Sequence, residues 1–338
     1  IDPGANAGMA ADIDNDIKAD AVVLFRQSAL RVQPTFDLQA ELPHVQQICR
    51  LVDGAPLAIE LAAAWLKALP CAQIARELAH GIDLLETSMR DVPLRHRSMR
   101  AVLAQSWDHL SADEQQVFQA LSVFEGGFRL EAAQAVVGAM VTAPLAVLGA
   151  LVEKAMLQLA PGGRYRIHAL LRGLGAERLA VAPPELVGGV MTGVTACRER
   201  HAVYYLSFLT ARRAALGGPG QLVALREIEE EMDNIRAAWT HVATRGRLFP
   251  QREALEALFG FLWMRGRYAE GEQMARQALE GGTSPIALTA YAAQFAGAVG
   301  AYDRALPAAQ SALDAARGSS DAVDVAPNQA FCHYVLGL

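Results

Sequence analysis

The sequence predicts a mainly α-helical protein with a short β-hairpin near its middle, ending in an α-α superhelix of repeated helix pairs. Three observations predict it. Apolar residues recur at spacings of 3 and 4 through most of the chain, the period of a one-sided helix. Strand-like stretches are short, "MLQL" and "RYRI", and they flank the turn "APGG". Finally, "RGRYAEGEQMARQALEGG" aligns without gaps on "VGAYDRALPAAQSALDAA", 34 residues further on.

Residues 1–92 read as a small helical bundle. Val22, Phe25, Ala29 and Val32 mark a first helix, which Pro34 ends. A second runs roughly from Pro43 to Val52, "DGAP" breaks the pattern, and a third runs from Leu57 to Leu69. The opening "IDPGANAGMAADIDND" is acidic, so it is no signal peptide. Asp12, Asp14 and Asp16 resemble the start of a calcium loop. Ile17 and Val23 stand where that loop needs Gly and Glu, so a solvated acidic tail is expected and no metal.

Residues 93–182 form a second unit. "SMRAVLAQSWDHL" places Met99, Val102, Leu103 and Leu110 inward. Ser111 and Glu114 have capping-box spacing before a helix carrying Val117, Phe118, Leu121 and Phe124, stopped by Gly126 and Gly127. "LEAAQAVV" is a short helix, and a further one from Pro144 carries Leu145, Leu148, Leu151 and Val152. The hairpin follows. Helices closed by a two-stranded wing are the pattern of a winged helix.

Residues 183–248 hold a linker by composition, "APPELVGGVMTGV", and then two long helices. The second carries Leu222, Leu225, Ile228, Met232, Ile235, Trp239 and Val242, and "EIEEEMD" reads as its wet face. Residues 249–338 repeat. Gly266 pairs with Gly300, Tyr268 with Tyr302, Ala278 with Ala312 and Leu279 with Leu313, each 34 residues apart. That is the tetratricopeptide period. "QAFCHYVLGL" looks like the first helix of a third, truncated repeat.

Composition narrows the function. Apolar residues make up 52% and charged residues 20% of the 338, enough for two or three packed domains. The net charge of −6 argues against broad nucleic-acid or membrane affinity. No apolar run approaches the ~20 residues of a membrane helix. The four cysteines lack CxxC spacing, so free thiols in a reducing cytoplasm are expected. Lys18, Lys67 and Lys154 are the lysines and none follows a glycine, so the chain holds no Walker A loop. It has no HExxH, GxSxG or cysteine–histidine cluster either, so catalytic and metal-binding residues are expected to be absent. The start at Ile1 and the stop at Leu338 within an apolar run lead us to expect a fragment.

These residues carry a resemblance. "DGAPLAIELAAAW" resembles the Gly-x-Pro-Leu-Ala block of the ARC subdomain of STAND signalling ATPases. "RHRSMRAVLAQSWDHLSADEQQVFQALSVFEGGFRLEAAQAV" resembles the winged-helix opening of their bacterial AfsR- and LuxR-type members. "EEEMDNIRAAW" is similar to the block ahead of their tetratricopeptide repeats. The resemblance spans nearly the whole chain, in the expected order, without the phosphate-loop domain and its Walker B acid.

It implies a regulatory and sensor portion of an ADP/ATP-switched signal-transduction or transcription-regulating ATPase. "RYRIHALLRGLG" corresponds to the Met-His-Asp motif, whose histidine contacts the terminal phosphate of ADP. His168 falls on that histidine, with Ile167 for the methionine and Ala169 for the aspartate. Pro56 falls on the proline that packs against adenine, and Gly54 on the turn glycine. From the residues alone, His168 at a strand-to-helix junction reads first as a structural residue, and Pro56 as a helix N1 proline. The implied partners are the missing nucleotide-binding domain and a protein or small-molecule inducer at the repeats, with oligomerisation on activation. Direct DNA binding is weighed and disfavoured: the helix before the wing offers only Glu153 and Lys154 as polar side chains, and base readout needs Arg, Asn or Gln there. The other reading is a tetratricopeptide adaptor with a winged helix that binds no DNA.

Overall fold

The computed structural model describes residues 20–80, 99–244, 252–280 and 286–318. The acidic triad Asp12, Asp14 and Asp16, Cys332 and the proposed third repeat lie outside them. Within them the protein is mainly α, with two short hairpins. By compactness the chain divides into Ile1–Ser122 with Ala139–Pro183, and Val123–Gly138 with Pro184–Leu338.

In the first unit, α1 (residues 20–32) buries Phe25 and Ala29 and half-buries Val22 and Val32. Helix α2 (Leu38–Leu51) begins five residues earlier than the sequence suggests, with Pro43 inside it. The reason is Asp37, whose carboxylate accepts the Gln39 and Ala40 N–H groups and caps the helix ahead of the proline. Helix α3 (Pro56–Ala64) is shorter than expected, ending in a 3-10 turn, Trp65–Lys67. Helix α4 (Cys71–His80) packs on α2.

Helix α5 (Met99–Asp108) buries Leu103 and Trp107, while the side chains of Met99 and Val102 lie outside the described residues. The capping box forms: the Ser111 N–H donates to Glu114 at 2.6 Å and the Glu114 N–H to the Ser111 hydroxyl at 3.3 Å, opening α6 (Ala112–Leu121). Helix α8 (Pro144–Glu153) buries Leu148 and Leu151, but Leu145, expected inside, is exposed. Strands β1 (Gln158–Ala160) and β2 (Arg164–Arg166) pair antiparallel, Leu159 opposite Tyr165. Helix α9 (Ala169–Val181) crosses α6 at Gly175. A Cβ there would stand 3.0 Å from Ser122 and 3.1 Å from Phe118, so the glycine permits the close approach.

In the second unit, α7 (Leu130–Val137) packs on the 23-residue α10 (Val194–Leu216). The segment read as a linker is a hairpin. Strands β3 (Leu186–Val187) and β4 (Val190–Met191) are joined by Gly188 and Gly189, both at positive φ, the backbone that tight hairpin turns require. Arg200 of α10 holds it in place, donating to the Met191 carbonyl at 2.7 Å and to the Val136 carbonyl at 2.6 Å.

The second long helix is two: α11 (Gln221–Glu230) and α12 (Met232–Thr244), broken at Glu231. The acidic run is correspondingly not all wet face, because Glu231 and Met232 are buried. Helices α13 (Arg252–Met264), α14 (Tyr268–Glu280), α15 (Ile286–Ala298) and α16 (Tyr302–Gly318) form two pairs whose starts repeat at 34 residues. Their turns match. Gly266 and Gly300 lie at φ 67° and 78°. The following N–H groups, of Arg267 and Ala301, reach back to Leu262 and Ala296 at 2.9 and 2.8 Å, a Schellman closure in each pair. Helices α10 and α12 continue the stack toward the N-terminus, since α10 packs on both α12 and α13 and the Trp239 indole N–H donates to the Met274 carbonyl at 2.9 Å.

Candidate functional site

Two successive left-handed residues, Asp53 at φ 50° and Gly54 at φ 68°, make the turn between α2 and α3. Glycine adopts this conformation freely, and aspartate is among the few side chains that tolerate it. The Asp53 and Gly54 N–H groups close α2 by donating to the Arg50 and Cys49 carbonyls at 3.1 and 2.9 Å. Pro56 then opens α3 at its first position, where an N–H would have no helical partner. The Pro56 ring is exposed.

His168 is the cap between β2 and α9. Its backbone is extended, its carbonyl accepts the Arg172 N–H at 2.9 Å, and its Nδ1 accepts the Leu170 N–H at 3.2 Å. A ring nitrogen that accepts carries no proton, so the neutral imidazole holds its proton on Nε2. Nε2 faces Asp53, whose Oδ2 lies 3.8 Å away. Burial pushes the His168 pKa down and the Asp53 carboxylate pulls it up, with burial the larger effect. The ring is therefore mainly neutral at pH 7, with Nε2–H the donor.

The structure thus brings the histidine junction to the turn that introduces Pro56. Sequence reasoning missed Asp53. The available signal was an acid immediately before Gly54; what hid its role was the expectation that an acid serving the histidine would follow it, where Ala169 stands. A separate concavity of about 500 Å³ in this unit is lined by Phe36, Glu41, Lys67 and Cys71 among others, and includes neither Pro56 nor His168. Burial, with the nearby Glu41 carboxylate, pushes the Cys71 thiol up to about 12, so it is an inert thiol.

Lys154, one of two polar side chains weighed for base readout, is engaged elsewhere. Its Nζ lies 2.6 Å from Glu114 and 3.1 Å from the His109 carbonyl. Lys154 and the Ser111 N–H together hold the Glu114 carboxyl below its ordinary pKa, against burial.

The second unit holds a buried polar centre that the sequence did not disclose. Asn234 accepts the Glu125 N–H at 2.9 Å and donates to the Gly127 carbonyl at 2.9 Å and to Glu231 at 3.3 Å. The Tyr205 hydroxyl donates to Glu231 at 2.9 Å, and His201 Nε2 lies 3.4 Å from Asn234. Phe124 stacks on Phe128 at 4.2 Å and meets the His201 ring edge-on at 5.0 Å. These contacts fasten the "FEGGF" loop to α10 and α12. The network is internally satisfied, so its role is structural. Among the described residues, no group of three or more metal-ligating side chains is assembled, and no helix is long and apolar enough to cross a membrane.

No family model matches the chain. It is 32% identical over 292 residues to proteins of Mycobacterium tuberculosis and Mycobacterium bovis described as candidate HTH-type transcriptional regulators, a match covering 81% of this chain. It spans 31% of the length of those curated relatives. An uncharacterised M. tuberculosis protein is 38% identical over 120 residues, covering 35% of this chain and 30% of its own. Among solved structures, a signal-transduction ATPase with numerous domains (STAND) and a tetratricopeptide repeat sensor, from Pyrococcus horikoshii, aligns over 94% of this chain and 44% of its own at 14% identity, with a TM-score of 0.32. The chain is thus similar in sequence to proteins described as transcriptional regulators, over under a third of their length.

Proposed function

We propose that the chain is the regulatory and sensor portion of a nucleotide-switched signal-transduction or transcription-regulating ATPase. The observation that carries this reading is the meeting of the Asp53–Gly54–Pro56 turn with the His168 cap, 3.8 Å apart at Asp53 and His168. In this reading a domain outside the chain supplies the phosphate loop. ADP, when bound, contributes a flat adenine and an anionic terminal phosphate. The exposed Pro56 ring would pack on the adenine, and His168 would donate Nε2–H to a phosphate oxygen. Because Nδ1 is committed to the Leu170 N–H, the ring presents that donor without reorganising. The contact ties two domains together only in the closed state, and so acts as a clamp.

The repeats then take a protein or small-molecule inducer, whose binding releases the clamp and permits oligomerisation. Moving such a switch from 1:99 to 99:1 needs about 5.5 kcal/mol of differential binding. Similarity to relatives described as transcriptional regulators supports a regulatory output made elsewhere in the protein. The engagement of Lys154 with Glu114 supports a winged helix that does not read DNA itself. The chain alone does no chemistry, holds no metal and works in the cytoplasm. The test is to purify the full-length protein without added nucleotide, denature it and chromatograph what it releases. About one ADP per chain is expected; protein free of adenine nucleotide, and unable to take up ADP, rules the reading out.

The second reading is a tetratricopeptide adaptor with a winged helix that binds no DNA. The stacking of α10 and α12 on the repeat pairs favours it. It predicts partner binding through the repeats with no response to nucleotide.

A further inference from the structure

The His168 Nε2–H is a single proton, and two acceptors compete for it: the Asp53 carboxylate and, if the clamp reading above holds, the terminal phosphate of ADP. We propose that Asp53 is the resting acceptor of the His168 Nε2–H, so that ADP gains its clamp only by displacing Asp53.

The pairing stands on geometry. The cap fixes the imidazole: Nδ1 is held by the Leu170 N–H at 3.2 Å, and the side chain is 25% exposed. The Asp53 side chain is 59% exposed and its Oδ2 lies 3.8 Å from Nε2. A side-chain rotation of the freer partner closes that gap to hydrogen-bonding distance. The turn also selects the residue. At φ 50°, aspartate and asparagine are tolerated where other side chains are strained, so the position combines a left-handed turn with a carboxylate aimed at the one free imidazole donor. Ala169, beside the histidine in the chain, has no acid to offer. The displacement rests on the clamp reading. A phosphate oxygen that takes Nε2–H stands beside the carboxylate, and two anions cannot share one proton without repulsion.

Asp53→Asn tests both halves, since asparagine keeps the shape and the left-handed turn and removes the charge. The first arm uses the 338-residue chain with ring-15N histidine and long-range 1H–15N correlation, His168 being assigned by its loss in His168→Gln. The expected result is an Nε2–H tautomer in both proteins. Its Nε2 signal moves and its proton exchanges faster with water in Asp53→Asn. An unchanged Nε2 signal in a folded variant overturns the pairing. The second arm uses the full-length protein and fluorescent N-methylanthraniloyl-ADP. Asp53→Asn is expected to slow release about fivefold, the effect of one unit charge at ~4 Å in a water-like dielectric. Faster release overturns the displacement. His168→Ala, run in parallel, separates the failures: if it leaves release unchanged, the clamp and with it the displacement fall, while the ring signal still decides the pairing.

Discussion

Phe295 occupies the space that a side chain at Gly271 would need. A Cβ on Gly271 would stand 2.4 Å from two carbons of the Phe295 ring, in the packing of α14 against α15. Gly271→Ala should therefore destabilise the second unit by about 1–3 kcal/mol, the range for overpacking a core. Phe295→Ala carries its own cavity cost of about 3–5 kcal/mol, but in that background Gly271→Ala should cost less, because the added methyl then has room. Urea denaturation of the two single variants and the double variant measures the coupling. Strictly additive effects would contradict the contact.

The buried centre around Asn234 makes stability depend on pH through His201. Burial pushes the His201 imidazole down to about 4, His241 adds to this, and the bond to Asn234 opposes it. The unfolded chain, with an ordinary histidine near ~6.5, takes up the proton first as the pH falls. The stability from neutral His201 is thus complete above about pH 6.5 and is lost progressively towards pH 4. The full loss is on the order of 3 kcal/mol. His168, shifted the same way, contributes with the same sign. Urea midpoints at pH 7.5 and pH 5 should converge in His201→Gln relative to wild type. An identical pH slope in the variant would place the effect elsewhere.

Lys154 pairs with Glu114 at 2.6 Å. Lys154→Met should therefore cost about 1–2 kcal/mol of stability, discounted because the lysine is partly exposed. It should leave the chain's affinity for duplex DNA weak and salt-sensitive, as in wild type. A gel shift across several duplexes, beside a thermal melt, checks both. A sequence-dependent, salt-resistant complex lost on the substitution would restore the winged helix as a DNA reader.

Elements with strong local signals were legible in the sequence. The capping box at Ser111 and Glu114, the hairpin at "APGG" and the 34-residue period with its paired glycines stand where the residues placed them. What escaped depends on partners distant in the chain. Nothing local distinguishes Glu231 from Glu229 and Glu230; its burial follows from Tyr205 and Asn234. The hairpin at Gly188 and Gly189 has two-residue strands, too short for their alternation to register. Asp37 outweighed Pro43 as the start of α2, because a side-chain cap satisfies two N–H groups where the proline only lacks one. At the candidate site His168 and Pro56 were named through resemblance, and the structure places His168 beside the turn that leads into Pro56. Asp53 was not named, because its relation to His168 exists only once α3 and α9 are placed.

The ADP release rate of His168→Ala in the full-length protein, measured together with its melting temperature, tests the account's central claim most directly. A hydrogen bond to a charged group contributes about 1.5–3 kcal/mol, so its loss should speed release roughly ten- to a hundredfold and raise basal signalling, with the variant still folded. A variant that melts earlier yet releases ADP at the wild-type rate per folded molecule would make His168 only the cap of α9, and would contradict the clamp.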